Sequence, residues 1–99
     1  VYALPQVELP QFFVYGLVDP RDRQLRYVGK SSSGMGRPRR HKYLPKKGRL
    51  THKQAWLQGL LSAGFMFEIC ILKVSTAESL SADEIALIVH YRTLGYLLT

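Results

Sequence analysis

The run from Phe12 to Val18 is apolar at every position except Gly16. Lacking polar alternation, it predicts a strand buried on both faces and central in its sheet. Asp19-Pro20 opens a turn, and Leu25 to Lys30 reads as the returning strand. "SSSGMGRP" is a Ser/Gly loop. Pro38 is tolerated only in a first helical turn, so Arg37 lies at or just before a helix that continues through "RRHKYL" and stops near Pro45. After the turn "KKGR", Thr51 caps a second helix that runs to Ala63, with Gly64 as its stop. Trp56, Leu57, Leu60 and Leu61 recur there at helical spacing. "FMFEICIL" predicts a third strand, and Ala77 to Thr93 a last helix ended by Gly95. The order is β-β-α-α-β-α. This is an α+β chain with a small central three-stranded antiparallel sheet flanked by about three helices.

Ninety-nine residues suffice for one domain, placed at 12–99, and for one modest core. Residues 1–11, with Pro5 and Pro10, read as an extended arm lying against it. The chain opens on Val1, which we read as the sign of an excised or processed domain. The single cysteine, Cys70, stands in an apolar run and reads as a buried structural thiol. No apolar run approaches the roughly 18–20 residues of a membrane span, so no membrane partner is expected.

Charge changes the picture more. The net charge is +7. Between Arg21 and Lys53 lie twelve Lys/Arg and one acid, Asp22, whereas two bases and four acids follow Lys53. Segregation of this kind favours a polyanionic partner, nucleic acid before anionic membrane.

His41, His52 and His90 are scattered and have no second cysteine, which argues against zinc. Neither a nucleophile elbow nor a phosphate-binding P-loop is present. What remains is a constellation. Tyr15 and Tyr27 sit on paired strands, each with a glycine close behind, Gly16 and Gly29. Arg37, Arg40 and His41 share a helix face. Lys30 closes the second strand, and Glu84 opens the apolar run "EIALIV". A carboxylate binds a hard divalent cation, arginine matches phosphate oxygens, and a phenol can take a proton when positive charge favours phenolate. These are the parts of a metal-assisted phosphodiesterase. Each has a plainer reading. Strand tyrosines pack cores, glycines mark bulges or packing points, and helix-end arginines are solvated. Ser81-Ala82-Asp83-Glu84 fits a capping box, as does Ser75-Thr76-Ala77-Glu78.

The arrangement resembles the GIY-YIG nuclease family. Phe13-Val14-Tyr15 looks like its first motif and Tyr27-Val28-Gly29, followed by Lys30-Ser31, like its second. Arg37-Pro38-Arg39-Arg40-His41 is similar to its arginine-and-histidine helix. Trp56 to Leu72 is similar to its "W…L…G…F-E-I-x-I-L" region, and Glu84 matches its glutamate. Phe13 departs from the family's glycine, Pro38 follows the arginine, and the frequent asparagine beyond the last helix is absent.

The resemblance implies Mg²⁺- or Mn²⁺-dependent hydrolysis of DNA phosphodiesters. In it, Tyr15 and Tyr27 face one cleft with Arg37 and Glu84; Tyr15 or Tyr27 helps deprotonate water, Arg37 stabilises the phosphate, Glu84 binds the metal, and His41 and Lys30 assist. It also implies that the two glycines let a DNA backbone approach closely. Arg26 and Lys30 near Tyr27 favour that phenol as the proton acceptor. The basic residues Lys30, Arg39, Arg40, Lys42, Lys46 and Lys47 are expected to contact DNA. Target choice is expected to come from a separate or missing domain. The location expected is intracellular, in the cytoplasm or on the nucleoid, with the nucleus open. A non-catalytic DNA-binding module and a domain that meets an acidic protein are the rival readings.

Overall fold

The computed structural model describes residues 10–40 and 51–99, with Arg37 described by its backbone alone. The architecture is α+β. Three strands, β1 (Phe13–Asp19), β2 (Gln24–Ser31) and β3 (Glu68–Val74), form one antiparallel sheet in the order β2-β1-β3. As its unbroken apolar run requires, β1 is the central strand, with Phe13, Val14, Tyr15 and Leu17 fully buried. Two long helices are described, α2 (His52–Ser62) and α3 (Leu80–Thr93), together with a single turn, α1 (Gly36–Arg39). The expected continuation of the first helix, and most of the arm, lie outside the described residues.

The sheet separates two apolar layers. Phe13, Tyr15 and Leu17 of β1 pack with Leu57 and Leu60 of α2 and with Phe67. Val14, Leu25 and Val28 pack on the other face with Leu80 of α3, joined by Leu87, Ile88 and Tyr91. Alternation along β1 sets this division.

Local chemistry sets the helix ends. Thr51 and Gln54 form a reciprocal capping box at α2, with bonds of 3.2 and 2.9 Å. Past Ala63, Gly64 adopts φ +85°, and Phe65 N–H bonds to Leu60 C=O while Gly64 N–H bonds to Leu61 C=O. Gly95, at φ +97°, closes α3 with the same paired bonds, to Tyr91 and Arg92. Both are Schellman stops, which need a left-handed residue and so favour glycine.

Two boundaries move. β3 starts at Glu68, not Phe65, because the α2 stop occupies Phe65, which with Met66 is exposed. α3 begins at Leu80, after a turn that already carries a helical bond, Leu80 N–H to Thr76 C=O at 3.0 Å.

Candidate functional site

Strand register brings the two tyrosine motifs together. Tyr15 pairs with Gly29, and Leu17 with Tyr27, so both rings rise from the same face of the sheet. Their centroids are 6.2 Å apart at an interplanar angle of 48°. A Cβ on Gly29 would come within 2.8 Å of the Tyr15 hydroxyl and 2.7 Å of the Tyr27 ring. The missing side chain of Gly29 is therefore the space the phenols occupy. Gly16 serves the opposite layer, where a Cβ would meet Leu25 at 2.4 Å and Cys70 at 3.2 Å. This corrects the expectation that the two glycines admit a DNA backbone: both spaces are filled by the protein's own side chains.

The two phenols are not equivalent. Tyr15 is wholly buried, whereas Tyr27 is partly open. The Lys53 ammonium of α2 lies 4.9 Å from the Tyr27 ring centroid, within cation–π range.

The other face carries Lys30 and Glu84. Lys30 pairs with Val14 at the end of β2, and its Nζ donates to Ser81 Oγ in the first turn of α3 at 2.8 Å. Glu84 follows one turn later. It falls in register with Leu80, Leu87, Ile88 and Tyr91, the positions α3 packs against the sheet. Its half-buried carboxylate makes no hydrogen bond or ion pair among the described residues. Neither expected capping box forms. Ser81 is engaged by Lys30, and the reciprocal pair at this terminus is Thr76 with Ser79, each N–H reaching the other's hydroxyl at 3.1 Å. The neighbouring acid is fully committed: Asp83 accepts from Lys73, Ser75 and Ser79 at 2.7–2.9 Å. Those bonds, Lys73 foremost, lower its pKa from 3.8 to about 2.

This corrects the expectation of one cleft: the tyrosine pair and Glu84 stand on opposite faces of the sheet, because alternation along β1 and β2 sends the tyrosines toward α2 while α3 docks on the other layer. Lys30 ties β2 to the helix that carries the glutamate. No family model, curated protein or solved structure matches the chain. The site is accordingly read from its own residues. Among the described residues no three His, Cys, Asp or Glu side chains cluster as a metal site, and no helix is long and apolar enough to cross a membrane.

The basic segment divides. Arg21, Arg23 and Arg26, at the β1–β2 turn, pair with Asp19, Glu68 and Asp22 at 2.8, 3.1 and 2.7 Å. Arg39 and Arg40 are exposed at the opposite end of β2. Charge available to an anion is therefore less than the sequence count suggests. His41, Lys42, Lys46 and Lys47 lie outside the described residues, and so does the Arg37 side chain.

Two features had no warning in the residue pattern. One is Lys53 over Tyr27, brought there by the docking of α2. The other is buried Asp19. It accepts from Arg21 Nε and Nη2 at 3.0 and 2.8 Å and from Trp56 Nε1 at 3.0 Å, which pins α2 to the hairpin. Arg21, then Trp56, holds its carboxyl well below the usual carboxylate range against the opposing effect of burial. Cys70 is half-buried, its thiol reaches Gly16 C=O at 3.6 Å, and burial raises its pKa.

Proposed function

We propose that this protein is a divalent-metal-dependent DNA endonuclease of the GIY-YIG type. The observation that carries the reading is the register that stacks Tyr15 and Tyr27 over Gly29, joining the two motifs on one face. The half-buried Glu84 supports it, because a carboxylate without a protein partner suits a hard cation. A site with one carboxylate leaves water and substrate phosphate to complete the coordination. Glu84 would hold a Mg²⁺ or Mn²⁺ ion, which there would neutralise charge on the phosphate and the leaving oxygen.

In this reading water attacks phosphorus and passes its proton to the Tyr27 oxygen, while the P–O bond breaks and the leaving oxygen takes a proton from solvent. That Tyr27 and Glu84 serve the same phosphate rests on the resemblance, because the sheet lies between them. Tyr27 suits this role because it is the accessible phenol and has an ammonium beside its ring. Tyr15, buried against it, fixes the ring. Lys30 steadies α3 through Ser81. The roles of Arg37 on the phosphate and of His41 beside it rest on the resemblance, whereas the DNA contacts of Lys42, Lys46 and Lys47 rest on the excess of positive charge between Arg21 and Lys53.

Supercoiled plasmid incubated with the protein tests the reading. Nicked or linear product should form with Mg²⁺ or Mn²⁺ and not with chelator. Salt-sensitive binding without cleavage under either ion would replace the enzyme with a DNA-binding module. Absence of DNA affinity would remove nucleic acid altogether.

A further inference from the structure

The outward face of α3 is apolar. Ile85 is 61% exposed and Val89 59%, and on the same stripe exposed Ala82 lies one turn before Ile85 and exposed Ala86 between the two. A helix packed on one side ordinarily turns a polar face to water. Here the helix's two acids lie elsewhere, Glu84 on the sheet-facing stripe and Asp83 bonded to Lys73, Ser75 and Ser79, while the outer stripe of α3 holds none. Charges mark only its ends. Glu78 lies one turn before Ala82, and Arg92 one turn after Val89. The turn that carries Glu78 already follows the helical path, as the Leu80-to-Thr76 bond requires. Both charged side chains are exposed, and neither forms a hydrogen bond or ion pair among the described residues.

Ile85 is equidistant from the two charges, seven residues from each. Glu78 and Arg92 are about 21 Å apart along the axis. A twofold axis through Ile85 would set one stripe against another running the opposite way. Each Glu78 would then face the other copy's Arg92, and the two Ile85 side chains would meet at the centre. Alanines at 82 and 86 permit interaxial distances near the lower end of the usual ~8–10 Å, at a shallow crossing angle. The antiparallel arrangement also sets each helix N-terminus beside a C-terminus, which favours it electrostatically. A partner carrying a single sign of charge would match one end of the stripe and oppose the other. A second copy of this chain satisfies both.

We infer that α3 is the interface of a twofold-symmetric homodimer, formed by Ala82, Ile85, Ala86 and Val89 and keyed by Glu78–Arg92 pairs. The inference is independent of the nuclease reading.

Sedimentation velocity of the wild-type chain from low to high micromolar concentration should show a monomer–dimer equilibrium. Ile85→Asp should leave only monomer with unchanged far-UV circular dichroism. Glu78→Arg and Arg92→Glu, both at exposed positions, should each weaken the dimer at least about tenfold through like-charge contact. The double variant Glu78→Arg/Arg92→Glu should restore it, because the reversed charges meet again across the axis. Should Ile85→Asp fail to fold, the charge series decides alone. A wild-type chain that stays monomeric throughout overturns the proposal. So does a dimer indifferent to the single reversals, or one that the double reversal does not rescue.

Discussion

Glu84 occupies a position that packing alone would give to leucine. It shares the sheet-facing stripe of α3 with Leu80, Leu87 and Ile88 and finds no partner among the described residues. A polar group kept in such a place without a bond costs stability, and costs of that kind are retained where function needs them. Glu84→Gln should therefore melt at or above the wild-type temperature. If the carboxylate holds the metal, the same variant should lose at least about 10²-fold in plasmid cleavage and keep DNA binding. A lowered melting temperature with cleavage intact would make Glu84 a structural residue. The two phenols differ at the same scale. If Tyr27 takes the proton of the attacking water, Tyr27→Phe should fold, cost at least about 10²-fold in cleavage rate, and flatten the corresponding limb of the pH–rate profile. On the same reading, Tyr15→Phe should slow cleavage and keep the shape of the profile if its buried ring acts only by positioning Tyr27. Equal wild-type rates for both would return the tyrosines to the core.

At the scale of elements, the β1–β2 pairing makes the tyrosine pair possible, and Gly29 is its narrowest point. A methyl group there would collide with both rings at 2.7–2.8 Å. Gly29→Ala should cost about 1–3 kcal/mol, the usual size of overpacking in a filled core. It should also displace the Tyr15 and Tyr27 rings, visible as altered near-UV circular dichroism. An unchanged melting temperature would mean that the rings move aside without cost. Gly29 shows how far the residue pattern reached. The two strands, their glycines and the tyrosines on them were legible, as were the Thr51 cap and the Gly64 and Gly95 stops. A packing point was one open reading of Gly29, and the structure bears it out; which atoms it makes room for was not legible, because they belong partly to Tyr15, fourteen residues earlier. The start of β3 was misread for a related reason: Phe65 is apolar, but the α2 stop claims its backbone N–H.

Over the whole molecule, two carboxylates connect distant parts of the chain. Asp19 joins the hairpin to α2 through Trp56, and Asp83 joins the end of β3 to α3 through Lys73 and Ser75. Both have pKa values depressed by folding. Their stabilisation is complete above the ordinary carboxylate value and is lost as protons bind in the folded state. For Asp83 the loss should run from about pH 3.8 down to about 2, with that of Asp19 following at lower pH. Melting temperature should fall across that window, and Asp83→Asn should flatten the fall, lying below wild type at neutral pH and converging with it at the acid end. Parallel curves would exclude Asp83 as an acid-sensitive tie.

The sequence by itself determined the described elements, their order, and the ends set by the Thr51 cap and the Gly64 and Gly95 stops, but not the starts of β3 and α3. Those depend on side-chain period, caps and stops acting over a few residues. It also determined the excess of positive charge between Arg21 and Lys53. The tertiary structure alone decided which of those charges are neutralised. Arg23 meets Glu68 across forty-five positions of the chain, a contact that no local pattern encodes. It alone decided that Gly16 and Gly29 hold side chains, that Lys53 covers Tyr27, and that Glu84 faces the sheet while Ile85 faces water. The apolar residues of α3 run around the helix, so periodicity could not choose its inner face. Only docking of α3 against Val14, Leu25 and Val28 made that choice.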